Sequence, residues 1–173
     1  MYRAGILTMS DKGSRGERED RSAVVIRDIL EKNGYEVAEY QIIPDDYDRI
    51  QTELIRMADE SGLDLIMTTG GTGFSLRDVT PEATRAVMTR DVPGIAEAMR
   101  ADSLKVTRRA MLSRAVSVLR NQTLIVNLPG SPKACRENLE SIIDQLGHGL
   151  DILTGRDGEC AVPETGHHHA HNG

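Results

Sequence analysis

The residues best suited to chemistry lie in a glycine-rich segment, TTGGTG, at positions 68–73. Its three glycines directly follow an apolar run. Glycine tolerates positive φ angles and lets the backbone approach a ligand closely, and successive N–H groups in such a loop can bind a phosphate. The segment lacks the GK[ST] of a P-loop and the third glycine of a dinucleotide-binding fingerprint. A tight turn after a strand would require the same glycines, so phosphate binding is one of two interpretations.

Two aspartates follow apolar runs in the same way, Asp45 in PDD (44–46) and Asp78 in RDVTPEAT (77–84). Each acidic segment could simply cap a helix. Two carboxylates that flank a phosphate loop would instead suit Mg²⁺, which binds through one or two carboxylates together with substrate phosphates. Phosphoryl or nucleotidyl transfer is the matching reaction class, because it needs positioning and charge neutralisation rather than a nucleophilic side chain. The sequence contains no GxSxG motif and no evident Cys/His pair, which agrees with that class.

The elements that must position these residues alternate between strand-like and amphipathic helical runs, which predicts an α/β domain with a mostly parallel sheet. Strands are predicted at 3–9, 35–43, 63–69 and twice within 115–129. A hairpin near Asn121 and Gln122 would make one edge of the sheet mixed. Helices are predicted at 20–33, at 48–60, after Pro93, and at Thr80-Pro81 and Ser131-Pro132, where a hydroxyl cap precedes a proline. A long apolar stripe then runs from Cys135 to Leu153 and is typical of core packing.

Ligands of open parallel sheets bind in the loops that follow the carboxyl ends of the strands. The loops at 10–20, 44–47, 70–80 and 129–132 meet this condition, and all the unusual sequence lies there. We therefore expect one site, built from these four loops. His148 lies on the last predicted helix and is interpreted as a surface or packing residue rather than a catalytic one.

The composition is that of a soluble globular domain, with 173 residues, 39% hydrophobic and 28% charged. A net charge of -6 and only 3% aromatic residues argue against a nucleic-acid-binding protein. Two cysteines without CxxC spacing indicate a reducing compartment rather than a disulfide framework. No apolar run is long enough to span a membrane, and the start is unlike a signal peptide, so we expect a cytoplasmic protein with no membrane partner.

Seven short motifs together resemble the MogA/MoaB family of molybdenum-cofactor biosynthesis proteins, and the G domain of gephyrin is similar. They occur in the family's order and cover about residues 3–155: SD (10–11), D-x-S (20–22), PDD (44–46), TTGGTG (68–73), RDVTPEAT (77–84), LSR (112–114) and NLPGSPKA (127–134). One departure is Ala23, which stands where the family often has glycine after the serine of D-x-S.

The resemblance implies a three-layer α/β/α sandwich over residues 1–155 and a molybdopterin adenylyltransferase activity. In that reaction AMP passes from ATP, the co-substrate, to the terminal phosphate of molybdopterin, with Mg²⁺ as cofactor and pyrophosphate as product. It implies that Asp45 and Asp78 are the catalytic acids and bind Mg²⁺ through the substrate phosphates. It further implies a homotrimer or a trimer-based hexamer, and the downstream molybdenum-insertion protein is a further candidate partner.

The resemblance also implies a set of substrate- and nucleotide-binding residues. Those in the phosphate cradle are Thr69, Gly70, Gly71, Thr72 and Gly73, and those that line the pterin or nucleotide pocket are Ser10, Asp11, Ser113, Asn127, Pro129, Gly130 and Ser131. Arg77 is either a phosphate contact or a surface residue.

Two other functions stay open at this point. One is a MoaB-like noncatalytic protein that binds or carries molybdopterin. The other is a CinA-like domain that acts on a different nucleotide, although that branch usually has a second domain and this chain has no room for one.

Residues 156–173 lose all periodicity and are expected to form a mobile tail. Their histidines, His167, His168, His169 and His171, could bind a transition metal or belong to an expression tag. A disordered tail without a defined metal role is the preferred interpretation.

Overall fold

The protein, analysed as a computed structural model that describes residues 1–156, is built on a six-stranded sheet with the order β2-β1-β3-β6-β5-β4. The strands are β1 (Tyr2–Met9), β2 (Tyr35–Ile43), β3 (Leu65–Thr69), β4 (Arg90–Asp91), β5 (Ser117–Arg120) and β6 (Thr123–Leu128). The first three and β6 pair in parallel, whereas β5 pairs antiparallel with both β6 and β4. The prediction of a mostly parallel sheet with a mixed edge is confirmed.

Helices cover both faces of the sheet. They are α1 (Asp11–Ser14), α2 (Arg21–Lys32), α3 (Tyr47–Ile55), α4 (Thr80–Val87), α5 (Pro93–Leu104), α6 (Pro132–Glu140) and α7 (Ile143–Thr154). One apolar core lies between the sheet and α2, α5, α6 and α7, and a second lies between the sheet and α3 and α4. The three-layer α/β/α sandwich is therefore confirmed.

Strand β3 explains why the sheet needs two covered faces, since all five of its residues are buried. Leu65 and Met67 belong to the core on the α2 side, and Ile66 belongs to the core on the α3 side. A continuous apolar strand of this kind is typical of a parallel sheet buried on both faces. Because β1, β2, β3 and β6 run in parallel, their carboxyl ends meet at one edge, which is where the four predicted loops lie.

A bulge interrupts the pairing of β1 with β2. Ala4 pairs with Val37, but Gly5 pairs with Glu39, so β2 contains one additional residue at this point. The additional residue shifts the alternation of side chains between the two faces of the sheet. Each β2 residue after the bulge therefore points to the face opposite to the one that the residues before the bulge would predict. Tyr40 consequently faces the α2 side, where its hydroxyl donates a hydrogen bond to Asp20 at 2.6 Å.

Several helix boundaries differ from the sequence prediction. Thr80 does not cap α4, because Val79 occupies the cap position and the Thr80 hydroxyl, fully buried, donates to the Gly70 carbonyl at 3.0 Å instead. The stripe from Cys135 to Leu153 belongs to two helices rather than one. They separate at Ser141, whose hydroxyl donates to the Asn138 carbonyl at 2.7 Å and so bonds to the preceding turn.

Short irregular segments also appear that periodicity did not indicate. One helical turn, α1, lies inside the predicted 10–20 loop, a π-helical turn (Arg56–Glu60) continues α3, and a 3₁₀ turn (Arg108–Leu112) follows α5. Asp46 caps α3 by accepting a hydrogen bond from the Arg49 N–H at 2.8 Å. The predicted tail, with its four histidines, lies almost entirely outside the described residues. No helix within residues 1–156 has the length and apolar character needed to cross a bilayer.

The π-helical turn is held by a partly buried ion network around Arg56. Its guanidinium donates to Glu53 at 2.9 Å and to Glu39 at 2.8 Å, and Glu53 is buried.

We expect Arg56→Met to lower the free energy of unfolding by about 2 kcal/mol, because it leaves the Glu53 carboxylate buried without its closest cation. Urea unfolding measures the effect. In the matched control, Arg49→Met removes the exposed partner of Glu53 at 3.6 Å and should change stability by at most about 0.5 kcal/mol. Equal losses in the two variants would contradict this assignment.

Candidate active site

A cavity of about 780 Å³ opens at the carboxyl edge of the sheet, and all four predicted loops contribute to its wall. Nine of the predicted site residues line it: Ser10, Asp11, Asp45, Thr69, Gly70, Gly71, Asp78, Gly130 and Ser131. The wall also carries the basic residues Lys12, Arg18 and Arg21, which sequence reasoning did not select. They come from the first loop, whose mixed charge gave no signal that distinguished them from other surface residues.

The remaining predicted site residues lie elsewhere. Thr72, Gly73, Ser113 and Pro129 line a neighbouring cavity of about 290 Å³. Asn127 is fully buried and lines neither cavity. Its amide group donates to Thr68 at 2.9 Å and to Thr84 at 3.0 Å, and its carbonyl oxygen accepts from the Val116 N–H at 3.2 Å. The geometry therefore corrects its assignment to the pocket wall, since Asn127 joins β6 to β3, α4 and the segment before β5.

Asp45 is held at the cavity wall by a reciprocal pair of hydrogen bonds with Asp11. The Asp45 N–H donates to Asp11 Oδ1 at 3.0 Å, and the Asp11 N–H donates to Asp45 Oδ2 at 3.2 Å. This pair connects the ends of β1 and β2 and orients both carboxylates. Burial raises the pKa of the Asp45 carboxyl above its ordinary value, and the negative charges of Asp11 and Asp78 raise it further. Asp45 is thus close enough to Asp11 and Asp78 for their charges to disfavour its ionised form.

Arg77 forms a two-pronged ion pair with Asp11 across the site. Its Nε and a terminal nitrogen donate to the two Asp11 oxygens at 3.0 and 2.8 Å. These hydrogen bonds lower the pKa of the Asp11 carboxyl. Arg77 therefore links the 70–80 loop to the first loop, and its guanidinium lies beside the acidic cluster.

The glycine-rich loop requires glycine both for its turn and for close approach to the carboxylates. Gly70 and Gly71 have φ angles of 93° and 69°. A Cβ on Gly70 would clash with the Met9 carbonyl, and one on Gly71 would clash with Thr80 and lie 3.1 Å from Asp45 Oδ1. A Cβ on Gly73 would lie 2.9 Å from Asp78 Oδ2. A tight turn and a phosphate-binding loop are therefore compatible interpretations of this segment, because the tight turn brings the loop against both Asp45 and Asp78.

Arg114 holds the far side of the glycine-rich loop and was missed by sequence reasoning. Its guanidinium donates to the carbonyls of Gly73 at 2.7 Å and Asp78 at 2.8 Å, and it pairs with Glu82. Its backbone N–H donates to the Thr72 carbonyl at 3.0 Å. The motif LSR contained the only signal, but within that motif the neighbouring Ser113 was the predicted residue.

The loop that follows β6 is fixed by hydroxyl and thiol groups. Thr69 donates to the Pro129 carbonyl at 2.7 Å, the Cys135 thiol donates to the same carbonyl at 2.8 Å, and Ser22 donates to the Gly130 carbonyl at 2.7 Å. The D-x-S motif thus contributes Ser22 as a support for Gly130, while Asp20 caps α2 through the Ala23 N–H at 3.1 Å.

The sheet order and the glycine-rich, acidic edge place the protein in the class of open α/β domains whose ligand sites lie beyond the carboxyl ends of parallel strands. Residues 5–148 match the family model described as a probable molybdopterin binding domain. The chain belongs to this family.

Individual relatives agree with the match. A molybdopterin adenylyltransferase of Helicobacter pylori is 44% identical over 153 residues, which is 87% of each chain. That of Escherichia coli K12 is 42% identical over 155 residues, 86% of this chain and 79% of the relative. The crystal structure of the molybdopterin biosynthesis enzyme MoaB of Thermus thermophilus superposes with a TM-score of 0.85 at 52% identity, over 90% of this chain and 98% of the other. The resemblance to the MogA/MoaB family is confirmed.

The close approach at Gly71 leads to a stability prediction. Gly71→Ala should lower the free energy of unfolding by about 3 kcal/mol, because it adds a steric clash with Thr80 to the strain of a positive φ. Gly62→Ala is the matched control, since Gly62 has a φ of 62° and no atom within 4 Å of the added Cβ. It should lose only about 1 kcal/mol. Chemical denaturation of both variants measures the difference, and equal losses would refute the close packing at Gly71.

A second prediction concerns Cys135. Burial raises the pKa of its thiol to about 11. In a Cys160→Ser variant, the folded protein should react with iodoacetamide at pH 8 on the order of 100-fold more slowly than the urea-unfolded chain. The neutral thiol also favours the folded state below about pH 9, and this contribution should fall as the pH rises towards 11. Rapid stoichiometric labelling of the folded protein would contradict the prediction.

Proposed function

We propose that the protein is a molybdopterin adenylyltransferase of molybdenum-cofactor biosynthesis. One observation carries the proposal: the Asp45 and Asp78 carboxylates lie against the glycine-rich loop in a cavity of about 780 Å³. The family match and the names of the two bacterial relatives support the same activity. In the reaction, a terminal phosphate oxygen of molybdopterin forms a bond to the α-phosphorus of ATP, and the bond from that phosphorus to pyrophosphate breaks.

The chain's own residues fit Mg²⁺. Asp45 and Asp78 offer hard oxygen donors. Burial raises the pKa of the Asp45 carboxyl and the charges of Asp11 and Asp78 raise it further, a cost that a bound cation would reduce. Within residues 1–156 no cluster of three or more acidic, histidine or cysteine side chains could enclose a metal. An ion held here would therefore keep bonds to water and substrate phosphates, as Mg²⁺ does. When bound, it would neutralise negative charge on the transferring phosphate.

The other side chains hold parts of the site in position and do not themselves react. The pair formed by Asp11 and Asp45 fixes the direction of the Asp45 carboxylate, and Arg114 keeps the backbone around Gly73 and Asp78 in place. No nucleophilic side chain is required, because the attacking atom belongs to molybdopterin. Catalysis then depends on alignment of two phosphates beside fixed charges.

The same proposal includes the location, oligomeric state and partners of the enzyme. We infer a cytoplasmic homotrimer or trimer-based hexamer that uses ATP and passes its product to the downstream molybdenum-insertion protein. Exposed apolar side chains at Phe74, Leu76, Val106 and Met111 support burial of surface against another chain.

Pyrophosphate release provides the direct test. The protein with ATP, Mg²⁺ and molybdopterin should release pyrophosphate, and EDTA should stop the reaction. We expect Asp45→Asn and Asp78→Asn each to lower kcat by about 100-fold or more, since each removes a negative charge from the site.

Asp46→Asn is the matched control for these variants. Asp46 adjoins Asp45, but its carboxylate caps α3, a role that asparagine also performs. It should retain nearly full activity. Full turnover in both Asp45→Asn and Asp78→Asn would refute the catalytic assignment, and molybdopterin binding without any pyrophosphate release would favour the noncatalytic carrier.

A further inference from the structure

Three basic residues of the first loop form one part of the wall of the 780 Å³ cavity. Lys12, Arg18 and Arg21 line it together with Asp45 and Asp78, and all three basic residues are exposed. We call Lys12, Arg18 and Arg21 the basic wall. The cavity thus combines an acidic part, where the reaction is proposed to occur, with a basic part that the chemistry at Asp45 and Asp78 does not use.

Most acidic residues beside the basic wall have other partners. Asp20 caps α2 and accepts a hydrogen bond from the Tyr40 hydroxyl at 2.6 Å. Glu17 accepts two hydrogen bonds from Arg15, at 3.0 and 3.1 Å. Arg15 is the main cause of the lowered pKa of the Glu17 carboxyl, and Lys12 adds a smaller effect. These carboxylates are therefore not the principal partners of the basic wall.

The cations of the basic wall are correspondingly unpaired or weakly paired. Arg21 lies 3.4 Å from Glu19, but both side chains are 75% exposed, and such a pair contributes little. Lys12 and Arg18 form no ion pair and no side-chain hydrogen bond with any residue between positions 1 and 156. Their positive charges stay available to an anion in the cavity.

The loop that carries Lys12 is fixed by its own hydrogen bonds. The Gly13 N–H donates to the Ser10 hydroxyl oxygen at 2.9 Å, and the Glu17 N–H donates to the Lys12 carbonyl at 3.0 Å. A Cβ on Gly13 would clash with the Ile42 side chain, so the turn packs closely against β2. Because the backbone is already held in place, an anion that binds here does not have to order the loop.

The phosphates of ATP differ in where they must lie during adenylyl transfer. The attacking oxygen and the leaving group lie on opposite sides of the α-phosphorus, roughly in line. The leaving group contains the β and γ phosphates, which carry most of the negative charge of ATP and more than the single phosphate of molybdopterin. Phosphates with this much charge need cations in addition to any ion beside Asp45 and Asp78.

We propose that the basic wall binds the β and γ phosphates of ATP, and that Lys12 and Arg18 are substrate-binding residues. This inference rests on the proposed function, which defines the nucleotide. The basic wall then holds the leaving group on one side of the α-phosphorus, and the phosphate of molybdopterin approaches from the other side.

A variant that carries both Lys12→Ala and Arg18→Ala tests the proposal. Titration calorimetry with ATP and Mg²⁺ at low salt should show about tenfold weaker binding than the wild type, because each exposed cation contributes a factor of about three. AMP lacks both phosphates and should bind the variant and the wild type equally. In about 1 M NaCl, where the screening length is about 3 Å, the difference in ATP affinity should fall below about twofold.

A second double variant is the control for net charge. Arg15→Ala with Arg27→Ala also removes two positive charges from this region, but neither residue lines the cavity, and their partners are Glu17 and Glu31. It should bind ATP within about twofold of the wild type. In the pyrophosphate-release assay, the Lys12 and Arg18 variant should raise the KM for ATP about tenfold while the KM for molybdopterin stays unchanged.

The outcomes separate this inference from the function on which it rests. Equal ATP affinity of wild type and the Lys12 and Arg18 variant would overturn the assignment and leave the adenylyltransferase proposal intact. Equal weakening of AMP and ATP, or weaker binding of molybdopterin alone, would overturn it as well, because the basic wall would then contact a different group. If the wild type binds ATP in this way but releases no pyrophosphate, the inference stands and the adenylyltransferase proposal fails. If the wild type does not bind ATP, both fail.

Discussion

Partial burial of one carboxyl group beside two others is the constraint on which this end of the molecule depends. Asp11, Asp45 and Asp78 meet at the carboxyl edge of the sheet, and the pKa of Asp45 rises because of burial and its two acidic neighbours. Backbone N–H groups and the Arg77 guanidinium offset part of this cost. Under the proposed function, a divalent cation beside these carboxylates would offset the remaining cost and allow the phosphates to approach.

The loops around the cavity are held through their backbone carbonyl oxygens. Arg114 fixes the glycine-rich loop through carbonyl oxygens, Thr80 fastens Gly70, and Ser22 supports Gly130. The contacts of Arg114 and Ser22 join segments that are distant in the sequence, and the contact of Thr80 closes the 70–80 loop on itself. Because these supports use backbone carbonyl oxygens, they do not occupy the Asp45 and Asp78 carboxylates. Under the proposed function, these supports would keep the loops in place while two phosphates are aligned.

Much of the fold could be predicted from sequence because the strands and most helices have strong periodic patterns. The position of the site could be predicted as well, since parallel strands bring their following loops to one edge. Two of the errors come from side-chain hydrogen bonds that no local sequence pattern indicates. Thr80 looked like a helix cap, but its hydroxyl bonds to Gly70, and Asn127 looked like a pocket residue, but its amide joins three buried partners. No local pattern indicated the role of Arg114, because it depends on which carbonyl groups the fold brings near its guanidinium.

The bulge in β2 has a consequence for how this site can vary among related proteins. One additional residue near Ala38 changes which face of the sheet each later β2 side chain occupies. It also sets which residue of β2 reaches the carboxyl edge of the sheet. A residue of strand spans about 3.3 Å, which is larger than the tolerance of the hydrogen bonds between Asp45 and Asp11. A relative that lacks the additional residue must therefore lengthen its Pro44 loop by a similar amount to keep the carboxylate in place. Insertions and deletions in these two segments should occur as compensating pairs.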